Sequence, residues 1–159
     1  MFRIGHGYDV HQIIHDNKPL MLGGIEIPSE LALKAHSDGD VILHALTDAL
    51  LGAAALGDIG HHFPDTDPRY KNKASAFFIE QTCAALKARH FLIANVDITV
   101  VAQVPKLAPY IEKMRTVIKD LLELDKSAAN VKATTTEKLG FVGRKEGIAC
   151  HAVALIYTK

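Results

Sequence analysis

Two segments far apart in the chain carry side chains of the kinds that bind transition metals. Asp9 and His11 stand two residues apart, and His44 lies inside a later apolar run. Residues i and i+2 of a strand share one face, so this carboxylate and this imidazole would point the same way. With His44 they offer three ligands and leave a fourth position open, which is typical of a catalytic zinc site. A hydrogen-bonded cluster at a strand–helix junction is the alternative.

His44 and Asp48 are polar residues within an otherwise apolar stretch. Residues 40–56 are hydrophobic on nearly all sides, which predicts a buried helix. Burying an imidazole and a carboxylate costs free energy unless both find partners. We therefore expect His44 to bind a metal ion and Asp48, four residues later, to accept a hydrogen bond from its ring.

Three further features could bind phosphate. Residues 36–40 precede the predicted helix, where free N–H groups attract anions, although Ser37 could simply cap that helix. Residues 134–137 combine hydroxyl groups with a carboxylate that could hold Mg²⁺, although threonine is also common in ordinary strands. Lys106 stands at a loop–helix boundary, where it could meet a phosphate or be solvated.

The composition argues against several classes of protein. The 159 residues suit one domain, residues 1–159, and 18 basic against 18 acidic residues give a formal net charge of zero. That balance argues against nucleic acid or a membrane surface as a partner, and no apolar run reaches the roughly 18–20 residues that span a bilayer. Cys83 and Cys150 form no CxxC motif and the N-terminus lacks a signal pattern, so we expect inert thiols and a cytoplasmic location.

The hydrophobic periodicity predicts the elements that must position these residues. Strands are predicted over residues 2–13, 20–27 (with a bulge at its glycine pair), 95–104, 130–137 and 147–157, and helices over 40–56, 75–90 and from about 109. Residues 57–73 are polar and form a long loop, which is typical of a functional segment. The order predicts an α/β domain of the α+β type with two layers, in which helices pack on one face of a mixed sheet.

Five strings of residues occur together in one enzyme family. They are Gly5-His6-Gly7-Tyr8-Asp9-Val10-His11 and the segments 35–40, 57–60, 63–67 and 131–141. In this order, and over essentially the whole chain, they resemble the 2-C-methyl-D-erythritol 2,4-cyclodiphosphate synthases of the non-mevalonate isoprenoid pathway. The resemblance implies a homotrimer with active sites between subunits. It also implies a lyase reaction that cyclises 4-diphosphocytidyl-2-C-methyl-D-erythritol 2-phosphate to the 2,4-cyclodiphosphate and releases CMP.

The resemblance also implies roles for individual residues. Asp9, His11 and His44 would bind zinc, and Glu137 would bind a second divalent cation, Mg²⁺ or Mn²⁺. His36 and Thr135 match positions that stabilise the transition state. The implied substrate contacts are Ser37, Asp58, Gly60, Phe63, Pro64, Asp65, Thr66 and Asp67 for the methylerythritol phosphate, then Ala102, Lys106, Leu107, Ala108, Thr134 and Thr136 for the cytidine and diphosphate, and finally Phe141 and Arg144.

Two residues depart from the family pattern. The resemblance implies that an isoprenoid diphosphate can lie on the threefold axis near Arg144, but Lys145 replaces an expected glycine and His151 a common glutamate. Two other functions compete with the cyclase. A zinc-dependent phosphate-ester hydrolase would give hydrolysis products, and a non-catalytic module that binds isoprenoid diphosphates would show no turnover.

Overall fold

The computed structural model describes residues 1–158. Its strands are β1 (Phe2–Ile14), β2 (Leu20–Leu22), β3 (Ile25–Ile27), β4 (Ala32–Leu33), β5 (Phe91–Val101), β6 (Ala129–Thr134) and β7 (Gly147–Thr158). Its α-helices are α1 (Val41–Ala53), α2 (Ile59–His62), α3 (Ser75–Lys87), α4 (Ile111–Leu121) and α5 (Gly140–Gly143). None of these helices is both long and apolar enough to cross a lipid bilayer.

The main sheet has five strands in the order β4-β1-β7-β5-β6. The pair β5–β6 is parallel and the other neighbours are antiparallel, so the predicted mixed sheet is confirmed. Because β7 runs against both β1 and β5, the strands β1, β5 and β6 share one direction. Their carboxyl ends therefore meet at one edge of the sheet, where the predicted site residues on β1 and β6 lie.

Helix α1 packs directly on β1 and β7 and holds the centre of the core. This close approach depends on glycines in β1, because a Cβ atom at Gly7 would lie 1.9 Å from the carbonyl oxygen of Ala45 in α1. The packing brings His44 over the strand that carries Asp9 and His11. Gly5 and Gly7 thus let α1 approach β1 closely enough to place His44 beside Asp9 and His11.

The opposite face of β1 is open in the described chain. Phe2 and Ile4 are 70% and 71% exposed, and Tyr8 and Val10 also face outward. His6 stacks on His151 of β7 on this face, with ring centroids 5.4 Å apart. An apolar sheet face of this kind is typical of a surface that contacts another molecule.

The prediction of one bulged strand over residues 20–27 was wrong. These residues form a hairpin of β2 and β3, which make a separate two-stranded sheet. Gly23 and Gly24 form its turn with φ of 62° and 78°, and two consecutive positive φ angles are the requirement of a tight type I′ turn. The glycine pair therefore reverses the chain.

Several predicted boundaries also differ from the structure. The predicted strand over 130–137 ends at Thr134, and Glu137 lies in a following turn with φ of 52°. The long loop over 57–73 contains α2 and a short 3₁₀ turn at Pro68–Tyr70. Strand β4, which was not predicted, pairs with the end of β1. The ends of these strands and loops therefore depend on tertiary contacts and not only on local hydrophobic periodicity.

Candidate active site

Asp9, His11 and His44 converge as their spacing predicts. Asp9 Oδ2 lies 3.0 Å from His11 Nε2 and 3.1 Å from His44 Nδ1, and the two ring nitrogens are 3.0 Å apart. The three atoms form a nearly regular triangle at the junction of β1 and α1. The three side chains are mostly covered, with exposed fractions of 26%, 17% and 11% respectively.

The outer partners of both imidazoles direct a lone pair into this triangle. His11 Nδ1 lies 3.1 Å from the carbonyl oxygen of Lys34, which only accepts, so Nδ1 carries the proton and Nε2 is free to bind. His44 Nε2 lies 2.8 Å from Ser75 Oγ, whose own proton goes to Asp38, so His44 Nδ1 is likewise free. When both rings are neutral, three electron-pair donors face one another, an arrangement that a cation satisfies; without a cation, a proton on either ring bonds to Asp9 Oδ2.

The charges of the three groups are tied to one another. Burial raises the pKa of Asp9, but hydrogen bonds and positive charge from His11 and His44 outweigh it and hold the pKa below its usual value. Burial lowers the pKa of His11, yet the hydrogen bond to Asp9 leaves that pKa above its ordinary value. A metal ion therefore competes with a proton for this site.

The donor set fits a divalent transition metal. Two imidazole nitrogens and one carboxylate oxygen are common zinc ligands, and a tetrahedral ion with bonds of about 2.0–2.1 Å keeps its ligand atoms roughly 3.3 Å apart. The observed separations are close to that value, and all three donor atoms lie within 4.8 Å of one another. Asp9, His11 and His44 therefore form a candidate metal site with three protein ligands, which we call the metal triad.

Two expectations about the neighbours of this site were wrong. Asp48 accepts a hydrogen bond from the N–H of Ile59 at 2.7 Å, so it anchors the following loop and does not hold the ring of His44. Ser37 does not cap α1, because Asp40 is its N-cap and accepts from the N–H groups of Ile42 and Leu43. Those N–H groups are therefore already paired with a carboxylate, and the start of α1 is not a phosphate site.

A cleft of about 640 Å³ opens beside the metal triad. It brings together many of the predicted site residues, namely His36, Ser37, Gly60, Phe63, Pro64, Asp65 and Thr66 with the triad. Asp58 lies next to this cleft as the N-cap of α2, where it accepts from the N–H of His61 at 2.8 Å. Asp67 caps the 3₁₀ turn after the cleft and pairs with Arg69 at 2.6 Å.

Some residues of the cleft escaped the sequence analysis. The cleft is also lined by Lys34 and Lys71, whose ammonium groups suit an anionic ligand. Lys34 stands two residues before His36, so its position in the sequence could have identified it as a candidate site residue. Nothing local marks Lys71, whose segment is held beside the cleft by the N–H of Asn72, which donates to the carbonyl oxygen of His36.

The loop that borders the cleft is held by a cluster of packed aromatic rings. Phe63 lies 4.9 Å from Phe78 of α3 and 5.5 Å from Tyr70 between ring centroids. The ring of Phe78 also lies 6.0 Å from that of His44. Phe63 therefore fixes the loop relative to the metal triad, whatever contact it makes with a ligand.

Most of the remaining predicted residues form a second group, which we call the β5–β6 patch and which consists of residues 102–108 and 134–137. Its two parts touch, since the N–H of Ala102 donates to the carbonyl oxygen of Thr134 at 2.9 Å. Ala102 and Leu107 are buried, so only their backbones could meet a ligand. Thr135 Oγ1 donates to the carboxylate of Glu137 at 3.1 Å, and Lys106, Ala108 and Thr134 are exposed, while Thr136 is half-buried.

The β5–β6 patch lies apart from the metal triad within the chain. Val10, Ala149, Val101 and Thr134 occupy one row across four neighbouring strands. Three strand spacings separate the ends of that row by roughly 14 Å. Phe141 and Arg144 also lie outside the cleft, and Arg144 pairs with Glu146 at 2.8 Å. One chain therefore brings together only the first half of the predicted site.

Comparison with known proteins places this geometry in a family. The profile of the YgbB family matches residues 2–157, nearly the whole chain. The chain belongs to the YgbB family. It is 57% identical over 155 residues to the 2-C-methyl-D-erythritol 2,4-cyclodiphosphate synthase of Francisella philomiragia, covering 98% of both chains. The predicted family resemblance is thereby confirmed.

Solved structures agree with this assignment. The bifunctional IspDF from Campylobacter jejuni superposes with a TM-score of 0.96 at 47% identity, and the match covers 100% of this chain but 43% of the longer one. IspF of Plasmodium falciparum in complex with CDP gives a TM-score of 0.87 at 39% identity, covering 99% of this chain and 97% of that one. The predicted α/β architecture is that of these enzymes.

Proposed function

We propose that this chain is a single cyclodiphosphate synthase domain over residues 1–159. Its reaction converts 4-diphosphocytidyl-2-C-methyl-D-erythritol 2-phosphate to 2-C-methyl-D-erythritol 2,4-cyclodiphosphate and CMP. The convergence of Asp9, His11 and His44 on one point beside an open cleft is the observation that carries the proposal. The 57% identity to a relative with this activity supports the choice of substrate.

The chemistry requires two anionic groups of one substrate to meet. An oxygen of the 2-phosphate, ionised at neutral pH, forms a bond to the β-phosphorus, and the bond to the α-phosphate breaks as CMP leaves. Zinc held by the triad would polarise a phosphoryl oxygen and offset its negative charge. No strong general base is needed, because the attacking oxygen is already ionised.

The side chains of the cleft would then bind and orient the methylerythritol phosphate. Lys34 and Lys71 supply positive charge, and His36 and Ser37 supply hydrogen-bonding groups beside the triad. Holding the substrate in a ring-closing shape removes much of the entropic cost of cyclisation. His36 would act on the transition state in this setting, as the family resemblance implies.

We assign the cytidine, the diphosphate and a second divalent cation, Mg²⁺ or Mn²⁺, to the β5–β6 patch. Its exposed carboxylate, Glu137, and its hydroxyl groups are oxygen ligands of the kind that such cations prefer. Thr135, hydrogen-bonded to Glu137, would stabilise the transition state. Phe141 and Arg144 complete the proposed binding set.

The protein would act as a homotrimer. The cleft and the β5–β6 patch lie roughly 14 Å apart in one chain, a gap that neighbouring subunits could close. The exposed apolar face of β1, with Phe2 and Ile4, is a surface that such assembly would bury. An isoprenoid diphosphate near Arg144 and a cytoplasmic location belong to the same proposal, and both cysteines are free thiols, as a reducing compartment leaves them.

The direct test is incubation with the cytidylylated substrate while CMP release is followed. Phosphorus NMR should show a cyclic diphosphate, a chelator should stop the reaction, and added zinc with Mg²⁺ should restore it. Inorganic phosphate or an open diphosphate would instead identify a hydrolase. Ligand binding without turnover would instead support the alternative of a non-catalytic module that binds isoprenoid diphosphates.

A further inference from the structure

Ser75 is a fully buried serine that the proposed reaction does not use. It is the first residue of α3, and its hydroxyl lies 2.8 Å from His44 Nε2 on the side of the ring that faces away from the metal position. The same hydroxyl donates to Asp38 Oδ1. Asp38, Ser75 and His44 therefore form a continuous chain of hydrogen bonds that ends at the metal triad.

The direction of each hydrogen bond in this chain is fixed by Asp38. An ionised carboxylate only accepts, so the proton of Ser75 points at Asp38 and the oxygen of Ser75 must accept from His44. His44 is thereby held as the tautomer with a proton on Nε2, and its Nδ1 lone pair faces Asp9 and His11. Ser37 Oγ, at 3.2 Å from the same nitrogen, is the more distant partner.

The position of Asp38 is itself strongly determined. Its second carboxylate oxygen accepts from the N–H of Ser75 at 2.9 Å, and its own N–H donates to the carbonyl oxygen of Lys73 at 3.1 Å. The N–H of Asn72 donates to the carbonyl oxygen of His36 at 2.8 Å. These bonds join the segment that carries His36 and Ser37 to the start of α3.

We propose that Ser75 and Asp38 are positioning residues that select the metal-binding tautomer of His44 and hold the cleft segment in register with it. The inference rests on the metal site of the proposed function. Partners of this kind orient a ligating histidine and raise its basicity, and their loss commonly lowers metal affinity about 10- to 100-fold.

The test compares Ser75→Ala with Thr82→Val in the full-length protein. Thr82 is a buried residue of the same helix whose hydroxyl has no hydrogen-bond partner among the described residues, so its removal is a matched control. Zinc affinity, measured by competition with a chelator at neutral pH, should fall about 10- to 100-fold in Ser75→Ala and stay unchanged in Thr82→Val. Nitrogen NMR of the zinc-loaded proteins should show a proton on His44 Nε2 that exchanges slowly with water where Ser75 is present and rapidly in Ser75→Ala.

Asp38→Asn provides a second, independent variant. When the amide nitrogen faces Ser75 Oγ, it donates to that oxygen, and the hydroxyl turns its proton toward His44 and favours the wrong tautomer. Weaker zinc binding with faster exchange of the His44 Nε2 proton therefore supports the inference. Folded Ser75→Ala and Asp38→Asn proteins with wild-type zinc affinity and an unchanged His44 signal would overturn it. Failure of the wild-type protein to bind zinc would instead overturn the proposed function.

Discussion

At the scale of single residues, the two ring nitrogens of His44 contact different partners. Nδ1 lies 3.1 Å from Asp9 Oδ2 and belongs to the metal triad, whereas Nε2 contacts Ser75. A substitution that removes the ring therefore removes a ligand and leaves the buried hydrogen-bond chain without its end. Both losses weaken the site.

His44→Ala should abolish tight zinc binding and lower kcat/KM by more than about 100-fold, the upper range for loss of a partner of a metal ligand. Zinc content after dialysis and CMP release are the measurements. His15→Ala is the control, because His15 is exposed and does not line the cleft. Turnover near the wild-type rate in zinc-depleted His44→Ala protein would contradict the assignment.

The alkylation rate of Cys83 tests the prediction that the thiols are inert. Burial raises the pKa of the Cys83 thiol to about 11, so almost none of it is thiolate at neutral pH. Because the thiolate is the reactive form, alkylation by iodoacetamide at pH 8 should be roughly a hundredfold slower than for an ordinary thiol. The rate should rise about tenfold per pH unit towards the raised pKa.

The Cys150→Ala background isolates the reaction of Cys83, and the same protein in denaturant gives the reference rate. Rapid alkylation of folded protein at pH 7 would show instead an activated cysteine. Such a result would reopen a role for Cys83 in chemistry or redox sensing.

At the scale of elements, the metal triad depends on how closely α1 lies against β1. A Cβ atom at Gly7 would meet the carbonyl oxygen of Ala45 at 1.9 Å and the nitrogen of Ala49 at 2.8 Å. Backbone atoms of a buried helix cannot yield cheaply, so the helix itself must shift. Any shift separates His44 from the two ligands on β1.

Gly7→Ala should therefore destabilise the fold by about 2–3 kcal/mol and weaken zinc binding at the same time. Gly52→Ala is the control, because Gly52 lies on helix α1, away from β1, and nothing lies within 4 Å of the added methyl group. That control should leave zinc affinity unchanged and raise stability by up to about 1 kcal/mol through helix propensity. Chemical denaturation and zinc titration of both variants decide the point, and equal stability of the two would refute the packing argument.

The elements also explain which predictions succeeded. The spacing of Asp9 and His11 is a local property of a strand, and the apolar run around His44 is a local property of a helix, so both could be read from the sequence. Ser75 lies 37 residues from Asp38, and only the packing of α3 on α1 brings them together. Asp48 was misassigned because the i, i+4 spacing omits the competing N–H of Ile59.

The hairpin shows a similar limit. The glycine pair was recognised as irregular, but its role depends on a carboxylate further along the chain. Asp40 is fully buried and accepts from the N–H groups of Gly23 at 2.9 Å and Gly24 at 2.6 Å while it caps α1. One side chain thus fixes the turn and the start of the helix that carries His44, and no local sequence pattern predicts both roles.

At the scale of the whole molecule, the question is whether one active site draws on two subunits. The metal triad and the β5–β6 patch lie roughly 14 Å apart in one chain. If neighbouring subunits close this gap, each site takes its triad from one chain and Glu137 from the next. Three copies of the 17.3 kDa chain, about 52 kDa, should then appear in sedimentation experiments.

Mixing two inactive variants tests this arrangement directly. His44→Ala lacks a working triad and Glu137→Ala lacks the proposed second-cation ligand, so each alone should be inactive. When the two are co-expressed in equal amounts, a site with both halves intact forms where a Glu137→Ala chain contributes the triad and a His44→Ala chain contributes Glu137. Random assembly gives about one quarter of such sites, so about a quarter of wild-type CMP release should return. If each site lay within one chain, no mixture could restore it, and the activity would stay at the level of the separate variants.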